Sequence, residues 1–175
     1  GQYICAIDQG TTGTTVIIID GELKVHARVN QEFPQIFPKP GWVEHDPEEI
    51  WKSTLATIER AQKEAGITPE EIVAVGITNQ RETTVVWERE SGAPIHNAIV
   101  WQDRRTRGRI QSLTDEGAGP MVQERTGLVL DPYFSGTKIE WILDRVDGAR
   151  KKAMAGELAV GTIDAFLLWR LTGGT

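Results

Sequence analysis

The chain has 175 residues, of which 39% are hydrophobic, and it can bury the core of one domain or of slightly more than one. Its formal net charge of −6 argues against nucleic acid as the main partner, because a phosphate-binding surface needs clustered lysines and arginines. The one cysteine, Cys5, excludes an internal disulfide. No apolar run approaches the roughly 20 residues of a membrane span and no signal-like N-terminus is evident, so we expect a cytoplasmic protein without a membrane partner.

A polar loop between two predicted strands is the first feature of the chain. Apolar stretches at 3–7 and 16–19 have strand length, and they flank eight consecutive polar or glycine residues at 8–15. A tight hairpin needs only about two loop residues, so this length favours a ligand site over a plain turn. Neither a lysine nor a helix follows the glycines, which excludes the Walker A loop and the dinucleotide-binding loop.

The residues of this loop suit phosphates and a metal ion. Gly10 and Gly13 have no Cβ, so we expect positive φ there and a close approach of backbone N–H groups to an anion. Thr11 and Thr12 add short hydroxyl donors. Mg²⁺ prefers carboxylates combined with water and phosphate oxygens, and Asp8 offers a carboxylate. The loop is therefore predicted to be a phosphate cradle with a metal ligand.

The next elements are a third strand and a helix. Alternation of apolar and polar residues at 23–30 predicts a half-exposed strand, so three antiparallel strands come first. Asp46 and Pro47 predict a helix start, and Gly66 predicts its end. The apolar or small residues that recur at helical spacing are Trp51, Leu55, Ile58, Ala61 and Ala65.

Two later strands are predicted to end in polar residues. The continuous apolar run at 72–77 is typical of a strand covered on both faces, and Arg81 and Glu82 come soon after it. The run 98–101 ends in Trp101 and leads into a predicted helix. Because ligands collect beyond the carboxyl ends of strands in open α/β sheets, Arg81 and Glu82 lie where a site is expected.

Charged residues elsewhere are predicted to have structural roles. Arg104, Arg105 and the arginines at 107 and 109 are expected to form a solvated helix face. Asp103 and Asp164 are expected to cap helices. The histidines share no spacing typical of metal ligands. The overall order of elements predicts an α/β, ribonuclease-H-like (actin-like ATPase) domain, with a mixed sheet of three leading antiparallel strands flanked by helices.

Along essentially all of its 175 residues the chain resembles the glycerol kinases, of the carbohydrate-kinase family of sugar and polyol kinases. The matching motifs are Asp8-Gln9-Gly10-Thr11-Thr12, Pro40-Gly41-Trp42-Val43-Glu44-His45-Asp46-Pro47, Gly76-Ile77-Thr78-Asn79-Gln80-Arg81-Glu82-Thr83-Thr84, Ile99-Val100-Trp101-Gln102, Asp131-Pro132-Tyr133-Phe134-Ser135-Gly136-Thr137-Lys138 and Gly161-Thr162-Ile163-Asp164. The motifs that contain Arg81 and Tyr133 are the most specific to glycerol kinases. A different sugar kinase and a non-catalytic actin-like nucleotide-binding module are the alternatives.

The resemblance implies an ATP-dependent kinase that makes glycerol 3-phosphate, with ATP and Mg²⁺ as cofactors. It assigns glycerol binding to Arg81, Glu82, Trp101 and Tyr133. It assigns the Mg²⁺ to Asp8, and the ATP phosphates to Gly10, Thr11, Thr12 and Gly13.

The resemblance also implies that residues 1–175 are an N-terminal actin-like kinase domain, incomplete and inactive alone. The catalytic base and the C-terminal ATP-binding domain are expected beyond residue 175, so no catalytic residue is assigned here. The parent enzyme is expected to be a homo-oligomer. Gly13, Thr14 and Thr15 stand where many glycerol kinases have Ser-Ser-Arg. We also expect an apolar surface near the C-terminal helix, or self-association that covers it.

Overall fold

The computed structural model describes residues 1–174, and Thr175 lies outside the described part. The chain divides into two compact units. The first unit contains Gly1–Gln35, His45–Gln80 and the residues from Ile163 onward, and the second contains Ile36–Glu44 and Arg81–Thr162.

The order of elements is that of an α/β protein. The strands are β1 (Tyr3–Gln9), β2 (Gly13–Asp20), β3 (Val25–Glu32), β4 (Glu44–His45), β5 (Ile72–Asn79), β6 (Thr84–Glu88), β7 (Ala98–Ile99) and β8 (Leu158–Thr162). The helices are α1 (Pro47–Ala65), α2 (Arg107–Asp115), α3 (Gly119–Thr126), α4 (Ser135–Arg145), α5 (Ala149–Met154) and α6 (Ile163–Leu171). A single 3₁₀ turn, Pro69–Glu71, precedes β5.

The first unit is built on a mixed sheet with the strand order β3-β2-β1-β5. β1 pairs antiparallel with β2, β2 pairs antiparallel with β3, and β1 pairs parallel with β5. The predicted α/β fold with three leading antiparallel strands is therefore confirmed. The core of this unit contains Cys5, which is buried as predicted, and the burial raises the pKa of its thiol to about 11.

Helix α1 begins and ends where its capping residues predict. The Asp46 carboxylate accepts a hydrogen bond from the Glu48 N–H at 2.9 Å, and Gly66 has φ 67°, in the left-handed region. The buried face agrees with the predicted one at Ala61, which is fully buried, but not at Leu55, which is 42% exposed. Thr54 and Thr57 are buried instead, and each hydroxyl donates to a helix carbonyl one turn earlier. Because these hydroxyls are satisfied within the helix, the threonines pack as apolar residues do.

Strand β5 is not covered on both faces, contrary to prediction. Val73 and Val75 are 58% and 53% exposed. β5 pairs with β1 along one edge, and within residues 1–174 no strand pairs with its other edge. Helix α6 packs on β5 only in part, because Val75 and Leu168 line a cleft of about 380 Å³ between them. The apolar side chains of β5 are therefore only partly covered by other residues of the described chain.

We expect this exposed apolar face to bind an environment-sensitive dye and to drive self-association of the chain. Val75→Lys should weaken both effects, because it places a charge in the exposed apolar face of β5. Sedimentation velocity over a concentration series, with dye fluorescence in parallel, measures the change. Val25→Lys is the matched control, since Val25 is 56% exposed on β3 at the opposite edge of the sheet. A monomeric chain without dye binding would contradict the expectation.

The second unit contains the sheet of order β4-β7-β6-β8 and helices α2 to α5. β6 pairs antiparallel with β7 and with β8. Helix α4 packs on β6, and the core between them contains Val86, Ile99 and Ile142, each at most 1% exposed. Over the described chain as a whole, no helix is both long enough and apolar enough to span a membrane.

Candidate functional site

The polar loop of the first unit is shorter than the eight residues predicted, because β1 extends to Gln9 and β2 begins at Gly13. It is a tight turn, so its length does not by itself favour a ligand site. The Gly10 N–H donates to the Gly13 carbonyl at 2.8 Å, so Gly10, Thr11 and Thr12 form the tip. Thr12 is exposed and Thr11 is half-buried.

The glycines of this loop do not adopt the positive φ that we expected. Their role is to permit close packing. A Cβ on Gly13 would lie 2.8 Å from the Gln31 carbonyl oxygen on β3, and one on Gly10 would lie 3.1 Å from the Gly13 carbonyl oxygen. The loop therefore needs glycine because its backbone lies against a neighbouring backbone.

A buried hydrogen-bond network centred on His45 holds the backbone of this loop. The Gln80 amide nitrogen lies 3.2 Å from His45 Nδ1 and 3.2 Å from the Gly10 carbonyl. Gln35 Oε1 lies 2.6 Å from His45 Nε2, and the Gln35 amide nitrogen donates to the Thr11 carbonyl at 3.0 Å. Because one partner is a donor and the other an acceptor, the neutral tautomer with a proton on Nε2 fits.

Sequence reasoning missed this network. Burial lowers the pKa of His45 to about 4, so the ring is neutral near pH 7. Its partners lie 10 and 35 residues away in sequence, and no local pattern predicts that they meet. The signal that could have raised the question is the pair Gln9 and Gln80, which lie at the end of β1 and just after β5 and meet through a hydrogen bond of 3.0 Å from the Gln80 amide to Gln9 Oε1.

Asp8 is exposed at the end of β1, opposite Thr15 on β2 and Thr78 on β5. Among the described residues, no cluster of three or more His, Cys, Asp or Glu side chains could hold a metal ion. A lone exposed carboxylate nevertheless fits Mg²⁺, which keeps several waters and takes further oxygens from phosphates.

The second unit contains an open cleft of about 580 Å³. The residues that line it are Trp101, Gln102, Arg104, Val129, Asp131, Tyr133 and Phe134. The Trp101 and Tyr133 rings meet edge to face, with centroids 6.1 Å apart. Two of the four residues predicted to bind glycerol are thus brought together at one cleft.

Glu82 is hydrogen-bonded to the first residue of helix α4, Ser135, which follows Tyr133 and Phe134 of the cleft. Its carboxylate oxygen Oε2 accepts hydrogen bonds from the Ser135 N–H at 2.9 Å and from the Ser135 hydroxyl at 2.6 Å. Arg81 is exposed, and neither Arg81 nor Glu82 lines the cleft.

Lys138 is a second residue that sequence reasoning missed. Its side chain is fully buried, and its ammonium donates to the carbonyls of Glu82 at 2.8 Å and Tyr133 at 2.6 Å. Burial lowers its pKa to about 8, while the charges of Glu82, Asp103 and Asp131 oppose that shift. A lysine that follows Ser135 by three residues at a helix start gives no local sign of burial.

Residues 3–175 match the model of the FGGY family of carbohydrate kinases, N-terminal domain. The chain belongs to this family. Among curated relatives of this FGGY chain are glycerol kinases from Rhizobium rhizogenes and Marinomonas sp., 61% and 60% identical over 99% of the chain. The Thermotoga maritima glycerol kinase 2 is 55% identical over 99% of the chain. The FGGY chain spans 35% of the length of each of these relatives.

Solved structures agree with this family membership. The crystal structure of the Plasmodium falciparum glycerol kinase with ADP superposes on the FGGY chain with a TM-score of 0.91 at 34% identity. That match covers 99% of the chain and 35% of the solved one. The gluconate kinase from Lactobacillus acidophilus has a TM-score of 0.81 at 23% identity, covers 97% of this chain and 33% of that one, and supports the fold alone.

The arginine cluster of the FGGY chain is not simply a solvated helix face. The Arg105 side chain is fully buried, and its Nη2 lies 2.8 Å from Glu44 Oε1 and 2.8 Å from Asp103 Oδ2. The guanidinium lies over two indole rings that are perpendicular to each other, 3.9 Å from the centroid of Trp42 and 4.6 Å from that of Trp141. A guanidinium group is suited to such a buried site because it can stack on aromatic rings and form bidentate ion pairs with carboxylates.

Neither aspartate that we expected to cap a helix does so. Asp103 accepts hydrogen bonds from the Val43 N–H at 2.7 Å and from Arg105, whereas α2 begins at Arg107 with Thr106 as its N-cap. Asp164 lies inside the first turn of α6, where its charge complements the helix dipole.

Proposed function

We propose that this chain is the N-terminal part of a glycerol kinase, which transfers the γ-phosphoryl group of ATP to glycerol and forms glycerol 3-phosphate. The observation that carries the proposal is the cleft with Trp101 and Tyr133, to which helix α4 ties Glu82. Identities of 60% and 61% to curated glycerol kinases support it.

The proposed glycerol site combines one apolar wall with several polar groups. Glycerol has a hydroxyl on every carbon, so it needs donors and acceptors together with a surface for its carbon chain. We assign the wall to Trp101, and hydroxyl contacts to Arg81, Glu82 and Tyr133. Since Ser135 bonds to Glu82 Oε2, we assign Oε1 to a glycerol hydroxyl. Such a site rejects analogues that leave its polar groups unpaired.

The proposed phosphate site is the loop of the first unit. Gly10, Thr11, Thr12 and Gly13 would lie along the ATP phosphates, and Asp8 would hold the Mg²⁺ or its waters. When bound, Mg²⁺ neutralises charge on the phosphates during phosphoryl transfer. The role of the residues themselves is to keep the loop compact and its tip accessible, which the Gly10 to Gly13 hydrogen bond and the exposed Thr12 support.

The replacement of Ser-Ser-Arg alters this site. Thr14 is fully buried with its hydroxyl 3.4 Å from that of Ser53, and Thr15 accepts a hydrogen bond from Asn30 at 2.9 Å. The positive charge that an arginine at position 15 would bring is replaced by a neutral hydroxyl. Phosphate stabilisation in the parent enzyme therefore depends on cations outside this loop.

The remaining features of the parent enzyme belong to the same proposal. We assign the catalytic base and the C-terminal ATP-binding domain to the part of the relatives' length that this chain does not span. The chain alone is then expected to lack turnover. We also propose that the parent enzyme is a cytoplasmic homo-oligomer without a membrane partner. The net charge of −6 on this chain argues against nucleic acid as a partner.

The test is a glycerol titration of the chain by calorimetry, followed by ADP release from Mg-ATP with and without glycerol. Glycerol binding without turnover is expected. Glu82→Ala should weaken glycerol binding about 10- to 100-fold, because a hydrogen bond to a charged group contributes about 1.5–3 kcal/mol. Glu90→Ala, at an exposed position near β6, is the control.

Other outcomes would favour the alternatives. Binding of another sugar in place of glycerol would favour a different FGGY kinase. No glycerol effect on an extended chain with both domains would favour a nucleotide-binding module without catalysis. Glycerol-dependent turnover by the 175-residue chain would require a base within it.

A further inference from the structure

Lys138 is a fully buried cation that contacts two segments of the proposed glycerol site. It lies in the first turns of α4, and its ammonium donates to carbonyls on either side of a long stretch of chain. One belongs to Glu82, 56 residues away, and the other to Tyr133, 5 residues away.

The backbone at Glu82 needs an external restraint. Glu82 has φ 65°, in the left-handed region that residues with a Cβ rarely adopt, and such a conformation persists only where its surroundings fix it. Lys138 binds the Glu82 carbonyl, while Ser135 binds the Glu82 carboxylate. Helix α4 therefore holds both the backbone and the side chain of Glu82.

The same ammonium restrains Tyr133. Its bond to the Tyr133 carbonyl fixes the backbone that carries the ring, and the nitrogen lies 5.9 Å from the centroid of that ring. The Tyr133 ring in turn packs against Trp101 and Phe134. One buried nitrogen thus links Glu82 to the aromatic part of the cleft.

We propose that Lys138 is a positioning residue of the glycerol site: its ammonium fixes the backbones of Glu82 and Tyr133 so that both side chains meet the polyol. It acts through these two residues and does not contact the substrate. The inference rests on the proposed function, because the glycerol site itself is part of that proposal.

The charge environment supports a role as hydrogen-bond donor. The acidic groups that act on Lys138 are Glu82, Asp103 and Asp131, and each favours its charged form. No carboxylate forms a salt bridge with the Lys138 ammonium among the described residues, so its burial costs free energy. A methionine would fill a similar volume at lower cost, so the demand at this position is for donors.

The test compares Lys138→Met and Lys138→Gln by glycerol calorimetry. Methionine and glutamine are both one atom shorter than lysine along the side chain, but methionine has no donor, whereas glutamine retains N–H donors. We expect the order of affinity wild type, Gln, Met, with a loss of about tenfold or more for Met, since small misplacements in a site have effects of this size. If methionine binds glycerol like wild type and glutamine binds worse, Lys138 only fills space and the proposal is wrong.

Ile142→Val and Ile142→Ala are the matched controls. Ile142 is also fully buried, and it lies one helical turn further along α4 in the core with Val86 and Ile99. These variants should lower the melting temperature with little effect on glycerol affinity. Equal losses of affinity in Ile142→Ala and Lys138→Met, at equal melting temperature, would overturn the proposal.

A second measurement does not depend on glycerol binding. The Ser135 amide donates to the Glu82 carboxylate, so its hydrogen exchange reports the position of Glu82. We expect faster exchange in Lys138→Met than in an Ile142 variant of equal stability, and equal exchange would contradict the positioning role. If neither this chain nor an extended chain with both domains binds glycerol, the proposed function fails, while the exchange result still decides what Lys138 does.

Discussion

Replacing Arg105 by methionine is expected to lower the free energy of unfolding by about 3–5 kcal/mol, because it leaves two buried carboxylates without their cation. The Glu44 and Asp103 side chains are 7% and 1% exposed, and both are paired with Arg105 at 2.8 Å. The cation–π contacts of the guanidinium with Trp42 and Trp141 would be lost as well. Urea unfolding followed by tryptophan fluorescence and circular dichroism measures the change.

The adjacent arginine is a natural control for this substitution. Arg104 forms an ion pair with Asp131 at 3.3 Å, but the two side chains are 55% and 39% exposed. Arg104→Met should therefore cost less than about 1 kcal/mol. Adding Glu44→Gln and Asp103→Asn to Arg105→Met should restore part of the stability, because it neutralises the stranded charges. Equal effects of the two arginine substitutions would show that the burial of Arg105 does not govern its contribution.

The stability of the chain is expected to fall by about 3 kcal/mol as the pH is lowered from 6.5 to 4, through His45 alone. Burial lowers the pKa of His45 from 6.5 to about 4, and each pKa unit corresponds to about 1.4 kcal/mol. Between these values the unfolded chain binds a proton that the folded chain does not bind. The free energy of unfolding therefore rises with pH in this window and falls as acid is added.

The measurement is urea unfolding at several pH values for wild type and for His45→Gln. Other acid-titrating groups are common to both chains, so the difference between the two curves isolates His45. We expect that difference to be flat above pH 6.5 and to change steadily down to about pH 4. A difference that stays constant with pH would contradict a buried neutral histidine.

Protonation of His45 should also disturb the turn at Gly10, Thr11 and Thr12, which is the proposed phosphate site. A protonated ring cannot accept the hydrogen bond from the Gln80 amide, and Gln80 also donates to the Gly10 carbonyl. The loss of stability in acid and the loss of loop order therefore have one cause.

Much of the fold followed from local patterns. Alternating and continuous apolar stretches predicted the strands of the first sheet, and Asp46 and Gly66 predicted the ends of α1. These predictions succeeded because strand faces and helix caps depend on residues that are close in sequence. The loop after β1 was also found in this way, although its glycines serve close packing and not positive φ.

The side chains that were predicted wrongly or missed have interaction partners that lie far away in sequence. Arg105 was expected to be exposed, and it is buried because Glu44, 61 residues away, supplies a counter-charge. Lys138 and His45 looked structural or unremarkable, since their hydrogen-bond partners lie 56 and 35 residues away. A charged or titratable side chain is buried only where such partners exist, and one stretch of sequence does not contain them.

The sequence by itself determined the strands of the first sheet in their order, the caps of α1, the family, and which residues are candidates for the phosphate loop and the polyol site. Only the tertiary structure decided that two threonines belong to the buried face of α1, that β5 keeps an exposed face, and that Arg105, His45 and Lys138 are internal. The physical reason is the range of the interactions. Backbone geometry and capping act within a few residues, whereas burial of a polar group is decided by whatever the fold brings beside it.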